Sequence, residues 1–288
     1  MYFKMLPRYI LLCLIFITVE FVKSNDEKCL YNKVAIVTGA AQGNGYAIAD
    51  HFLKAGVKIV IILDKQLEKG MEAARELSEK HGGCRVDFIF CDVTKDLEEV
   101  YTRILKKYKY IDIIVNNAGV LDEYNPELVI ETNTLAVIQW SLKFWQHMRK
   151  DRDGRGGTII NLSSIVGYLV QPFLSIFSAS KYAVLGYSKS LGHEYTYRST
   201  NVRVLALCPG FTDTAMTRQQ MVTPDQLDGF NKFTNASKWQ KPDDVGRGAV
   251  KVFETAESGT AWAIIGGNDP FEAPAIETVT AECIDNLP

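Results

Sequence analysis

Val34-Ala35-Ile36-Val37-Thr38-Gly39-Ala40-Ala41-Gln42-Gly43-Asn44-Gly45 is the stretch that decides the fold. A run from Lys33 to Thr38, rich in Val and Ile and without polar alternation, has the length of a strand buried on both faces. Three glycines follow, then a helical pattern over Tyr46–Ala55. The same alternation continues along the chain. Lys58–Leu63, Val86–Phe90, Ile111–Val115, Thr158–Leu162, Val202–Leu207 and Ala261–Ile265 read as six further strands. Gln66–His81, Leu97–Tyr108, Glu127–Met148, Ser175–Tyr197 and Asp243–Glu257 read as the helices between and after them. Strand–helix repetition gives a parallel sheet covered on both faces, here of seven strands. No Pro/Gly-rich linker divides the pattern, so a single doubly wound α/β domain is expected over residues 29–288.

The glycine loop has a chemical meaning in that setting. Glycines between strand one and helix one permit a tight turn and let a pyrophosphate approach the backbone. The helix N-terminus then turns its free N–H groups and positive dipole end toward the anion. A glycine triplet alone is a weak signal; placed inside a βαβ unit it indicates a Rossmann-like dinucleotide site, with Gly39, Gly43, Asn44 and Gly45 as its cradle. Asp64 closes the second strand at the expected distance. A carboxylate there accepts hydrogen bonds from ribose hydroxyls and repels a 2′-phosphate, which points to NAD(H) rather than NADP(H). Helix N-capping is its alternative role.

The chain has 288 residues, 47% of them apolar, with a net charge of −2. That is a globular composition with no basic run to suggest nucleic acid. The four histidines, His51, His81, His147 and His193, show no metal-ligand spacing, and no metal site is expected. Cys91 and Cys208 fall at strand ends and read as small buried hydrophobes. A bridge among Cys29, Cys84 and Cys283 stays open, because spacing alone chooses no pair. Phe211–Lys241 is polar yet carries Met216, Met221, Phe230, Phe233 and Trp239. A stretch of this length inside a compact domain reads either as a substrate lid or as a surface excursion with its own small core.

Thr38-Gly39-x-x-x-Gly43-x-Gly45, Cys91-Asp92-Val93, Asn116-Asn117-Ala118-Gly119 and Pro209-Gly210 resemble, in order and spacing, the short-chain dehydrogenase/reductase family. Gly39–Gly43 and Cys208–Phe211 resemble the branch that holds the prostaglandin and insect alcohol dehydrogenases. The resemblance implies that Asp92 and Val93 border an adenine, that Asn117 lies near its ribose, and that Thr212 and Thr214 meet the nicotinamide carboxamide and phosphates. It assigns Asn133 to a proton-relay water, Ser164 to the substrate oxygen, and Lys181 to the nicotinamide ribose and to lowering a phenol's pKa. It also implies a homo-oligomer built through the fourth and fifth long helices.

One position departs from that pattern. Phe177 stands in Phe177-Ser178-Ala179-Ser180-Lys181, four residues before the lysine, where the family carries its proton-donating tyrosine. Tyr182 and Ser178 point elsewhere by helical geometry, rotated roughly 140° and 100° from position 177. Ser164 and a water, or Tyr168 and Ser175 in the preceding loop, are the remaining hydroxyl sources. Three functions stay open: a dinucleotide-binding pseudoenzyme, an oxidoreductase on an apolar alcohol or ketone that uses Ser164 or water, and an interaction scaffold that binds no nucleotide.

At the N-terminus, Lys4 and Arg8 precede an apolar run from Ile10 to Val19, and Val22 and Ser24 offer a small-residue exit. This is the pattern of a secretory signal peptide over residues 1–24, with an uncleaved signal anchor as the alternative. It leads to the ER lumen or to secretion, or, for the anchor, to the ER membrane. Free NAD is scarce in the lumen, which favours the pseudoenzyme. N-terminal sequencing of the protein expressed in a secretory host is expected to start just after Ser24; a chain that begins at Met1 refutes cleavage.

Overall fold

The computed structural model describes residues 27–218 and 222–274. The segment 1–24 expected to be a signal, Cys13 within it, Met221 and Cys283 lie outside them. The strands are β1 (Val34–Thr38), β2 (Ile59–Asp64), β3 (Val86–Phe90), β4 (Ile113–Asn116), β5 (Gly157–Leu162), β6 (Val202–Pro209), β7 (Ala261–Ile264) and β8 (Phe271–Glu272). They form one sheet in the order β3-β2-β1-β4-β5-β6-β7-β8. The seven expected strands are present and parallel. An eighth corrects the count: β8 runs antiparallel to β7, pairing Glu272 with Trp262 and Phe271 with Ala263. Two residues carry no readable period, which is why the pattern missed it.

The strand order reverses at β1, which sits between β2 and β4. Chains leaving those neighbours diverge to opposite faces of the sheet and open a crevice beyond the carboxyl ends, where ligands of such folds bind. The helices are α1 (Gly43–Lys54), α2 (Leu67–His81), α3 (Leu97–Tyr108), α4 (Pro126–Ile130), α5 (Ala136–Met148), α6 (Ser175–Leu191), α7 (Glu194–Thr200), α8 (Leu227–Ala236) and α9 (Pro242–Thr255). On one face Ile48, Phe52 and Leu53 of α1 and Val245, Val252 and Phe253 of α9 pack on β1, β2 and β6. On the other, Val100 and Ile104 of α3 and Trp140 and Phe144 of α5 fill the second core. The central strands β1, β2, β4, β5 and β6 are thereby covered on both faces, as their lack of alternation required, whereas β3 stays partly exposed.

Two expected helices are interrupted. Over Glu127–Met148 the chain makes a π-helical turn at Glu131–Leu135, between α4 and α5, and Asn133 lies in it. Such turns rotate a side chain out of the α-helical register and concentrate at functional sites. The second helix stops at Leu191 rather than Tyr197. At Gly192 an added Cβ would stand 2.6 Å from Gly259 N and 2.7 Å from Val204 O, so the chain passes too close to β6 for any larger residue.

A buried polar network ties the centre of the sheet to both long helices. Asn116 Nδ2 donates to Asn161 Oδ1 (2.8 Å) and to Ser141 Oγ (3.0 Å), and Asn161 Nδ2 donates to Ser188 Oγ (2.9 Å). Asn161 is 0% exposed, which closes its Asn-Leu-Ser sequon in the folded protein. Asn161→Ala orphans these partners in a low-dielectric core, and a loss of about 1–3 kcal/mol of unfolding free energy is expected in urea denaturation. An unchanged midpoint would show that the network stabilises nothing.

Candidate functional site

A cavity of about 470 Å³ opens at the switch point, beyond the carboxyl ends of the strands. Its floor is the glycine loop. Gly39 and Gly43 hold φ of +63° and +61°, and a Cβ on Gly45 would stand 2.5 Å from both Asn117 Nδ2 and Gly39 O. Larger residues at 39 and 45 are excluded by the backbone that folds under them. Helix α1 starts at Gly43, earlier than the periodicity indicates, so its first N–H groups face the cavity with no acidic residue in the first turn.

Asp64 is buried at the end of β2 and serves the loop directly. Its Oδ2 accepts from Ala41 N (3.0 Å) and its Oδ1 from Gln66 N (2.9 Å). Gln66, not Asp64, precedes the first turn of α2, so the alternative capping role is replaced by a turn around Asp64 itself. Asp92 holds Thr94 through the backbone N (3.1 Å) and the hydroxyl (2.8 Å). Burial pushes its carboxyl up, but these bonds and the nearby Lys95 and Lys65 outweigh it and the pKa falls. Asp92 and Val93 line the cavity beside Asp64. Asn117 lines it too, but its amide is already used: Nδ2 donates to Thr38 O (2.9 Å) and Gly39 O (3.0 Å). Asn44 contributes an orphan, since its Oδ1 is buried without a partner. The usual explanation for such a group is a ligand or water.

The cavity is also lined by Ser164, Phe177, Lys181, Thr212 and Thr214, the last beside Gly43. Lys181 is 5% exposed, and its Nζ donates to Leu162 O (2.8 Å). Burial lowers its pKa to about 8. The Phe177 ring lies beside it, centroid to Nζ 5.4 Å. Ser164 Oγ donates to Pro209 O over a long 3.4 Å. Thr212 is fixed by Gln240, whose Nε2 donates to both Thr212 Oγ1 (3.2 Å) and Ile264 O (2.8 Å). Thr214 is held in a turn by Thr217. Asn133 does not line the cavity. Its amide brackets Val120, accepting from N and donating to O at 2.8 Å each, and donates to Ser180 Oγ (3.2 Å). It therefore joins the loop after β4 to the helix that carries Phe177 and Lys181.

Phe177 is 8% exposed and belongs to an apolar cluster with Val166, Leu174, Val222 and Phe230, against which Phe173 and Leu121 also pack. Val222 and Phe230 come from the 211–241 stretch, which is not irregular throughout: α8 lies in it, and Phe173 meets Phe230 and Phe233 at 6.1 and 6.4 Å. Neither spare hydroxyl of the β5–α6 loop lines the cavity. Tyr168 packs beside Cys208 and Ala261, and Ser175 Oγ donates to Glu123 (3.0 Å).

Glu123 is a site-building residue the sequence did not reveal. Its carboxylate accepts from Ile176 N (2.9 Å) and Phe177 N (2.8 Å), capping the free amides of α6. It lies 54 residues before Phe177, so no local motif marks it. Distance in sequence also hid the grouping of Asp50, His51 and Asp243, which offer ligand atoms within 4.8 Å of one another. Lys80 (2.7 Å) and His81 (2.6 Å) already occupy the Asp50 carboxylate. Cys29 and Cys84 stand unbonded, while Cys91 and Cys208 are buried with thiols pushed up to about 12 by desolvation.

Comparison with known proteins agrees with this geometry. A family model described as short chain dehydrogenase matches residues 33–224. The 15-hydroxyprostaglandin dehydrogenase (NAD+) of Mus musculus is 32% identical over 233 residues, spanning 77% of this chain and 85% of that protein. Alcohol dehydrogenase 1 of Ceratitis cosyra is 32% identical over 212 residues, 72% of this chain and 80% of its own. Among solved structures, the 3-ketoacyl-(acyl-carrier-protein) reductase of Brucella melitensis, complexed with NADH, superposes with a TM-score of 0.71 at 25% identity, covering 83% of this chain and 98% of that one.

Proposed function

Because the chain belongs to the short-chain dehydrogenase family, we propose that it is an NAD(H)-binding oxidoreductase homologue in which Phe177 silences or greatly slows turnover. One observation carries this: the phenyl ring occupies the cavity wall beside Lys181, where a proton donor is needed, and neither Tyr168 nor Ser175 lines that wall. The residues present fit a dinucleotide. The glycines leave a cradle that a Cβ would fill, Asn44 keeps a buried polar atom free, and the cavity runs from Asp64 to Lys181. NAD(H), when bound, supplies the hydride acceptor or donor.

The chain's own residues divide the remaining work. The first turn of α1 and the glycine loop receive the pyrophosphate. Asp64 Oδ2 accepts only Ala41 N and keeps a lone pair for a ribose hydroxyl, whereas Oδ1 takes both the backbone N and, at a long 3.5 Å, the side-chain amide of Gln66. Thr212 and Thr214 hold the nicotinamide end, and Lys181 its ribose. Ser164 orients a substrate oxygen, and Asn133 positions α6 through Val120 and Ser180. At position 177 there is no O–H, and a positioned acid contributes ~10²–10⁴-fold. The second reading, slow turnover through Ser164, rests on that hydroxyl lining the same cavity.

The stretch 211–241 acts as a lid. Its apolar underside, meeting Phe173 and Phe177, suits an apolar alcohol or ketone. The N-terminal pattern supports entry to the secretory pathway; there Asn235, exposed on α8, is the sequon open to a glycan.

Two substitutions test this function. Asp64→Asn keeps the acceptor for Ala41 N but removes the charge. Calorimetry is expected to show NADH affinity falling about 10-fold, the scale of one charge-assisted hydrogen bond, while NADPH is not weakened. Equal losses for both would remove Asp64 from cofactor choice. Phe177→Tyr adds one oxygen beside an intact Lys181 and is expected to raise NADH oxidation with apolar ketones by ~10²-fold or more, with Lys181→Ala as the control. A wild-type rate equal to that of the tyrosine variant would mean another group supplies the proton.

A further inference from the structure

We propose that Lys181 is a carbonyl-capturing amine: in the dinucleotide-free protein, its ε-nitrogen condenses with an apolar aldehyde or ketone seated in the cavity and forms an imine. The inference goes beyond dinucleotide binding and needs only the cavity and the amine.

A buried lysine is ordinarily paired with a carboxylate. Around Lys181, among the described residues, the neighbours are the Leu162 carbonyl at 2.8 Å, the Phe177 ring and the Cys208 thiol. The thiol is itself pushed up to about 12 by burial, so it stays protonated and offers no negative charge. The Phe177 face favours the ammonium form, but burial outweighs it, and the lysine's pKa falls from 10.5 to about 8. That drop raises the neutral fraction near pH 7 on the order of 10²-fold. Lysines made nucleophilic in this way sit in apolar, desolvated pockets.

The second requirement is a place for the carbonyl compound. Lys181 lines the cavity of about 470 Å³ together with Val166, Leu174 and Phe177, so apolar side chains share the wall that carries the amine. A hydroxyl at position 177 would be a hydrogen-bond partner for the amine; the phenyl ring has no O–H to donate to its lone pair. The step balances without oxidant or reductant. Nitrogen attacks the carbonyl carbon to give a carbinolamine. The C–O bond then breaks, the oxygen leaves as water with the two amine hydrogens, and the C=N bond forms.

The test treats the whole chain, free of dinucleotide, with nonanal and sodium cyanoborohydride, which reduces an imine to a stable secondary amine, and maps adducts by peptide mass spectrometry. The expected result is an alkyl adduct at Lys181, appearing about 10²-fold faster than on surface lysines near pH 7. Its rate is expected to rise as the pH passes through about 8. Lys181→Met loses that adduct and keeps the slow surface ones. Adducts spread over surface lysines, with Lys181 no faster than the rest, would overturn the proposal even if the methionine variant failed to fold. NADH affinity is measured separately by calorimetry. A Lys181 adduct in protein that binds no NADH leaves capture standing and removes the dinucleotide reading; NADH binding without the adduct does the reverse.

Discussion

The clasp between the ends of β1 and β4 holds the site open. Thr38 Oγ1 accepts from both Asn117 N and Ala118 N at 3.0 Å, and the Asn117 amide returns two hydrogen bonds to the carbonyls of Thr38 and Gly39. Those carbonyls lie where β1 leaves the strand and enters a left-handed turn at Gly39. The clasp fixes where the glycine loop starts, and with it the direction of α1. Asp64 secures the other side of the loop through Ala41 N. A crevice at a strand-order reversal is a topological consequence. That this one is shaped for a phosphate-bearing ligand follows from the two side chains, Asn117 and Asp64, that use their polar atoms on the loop.

The sheet was legible because period and composition report burial, though its strand order was not. Strands buried on both faces are mainly apolar, and the seven stretches rich in Val and Ile became the seven parallel strands. β8 escaped because two edge residues, Phe271 and Glu272, make no pattern. The interruptions at Glu131–Leu135 and Gly192 escaped for another reason: both are imposed by neighbours distant in sequence, Val120 with Ser180 in the first case and Val204 with Gly259 in the second. Ser164, Lys181, Thr212 and Thr214 were marked by the family resemblance alone and do share one cavity. Asn133 was found the same way, but the structure sets it behind the wall as a brace. Glu123 and Gln240 act through long-range contacts and left no local signal.

Phe177 shows how one substitution is absorbed. A lone phenyl ring beside a buried amine would be a polar mismatch. Here it continues outward into the cluster of Val166, Leu174, Val222 and Phe230, so the ring gains apolar contacts on the side away from Lys181. The backbone under it is held independently of the ring, because Glu123 receives the amides of Ile176 and Phe177. Support of the helix and chemistry at its tip are therefore separable, and the scaffold around the missing hydroxyl persists.

The same separation bears on Lys181. Its burial is fixed by α6 and by the Leu162 carbonyl, neither of which depends on a hydroxyl at position 177. Desolvation costs a charged amine several kcal/mol unless a partner compensates, and in proteins the cost is expressed as a lowered pKa. A phenol or a bound ribose would compensate by hydrogen bonding; a phenyl ring returns only the weaker attraction of its π face. Phe177 therefore offers no proton donor and, for the same reason, leaves Lys181 closer to its neutral form in the cavity wall.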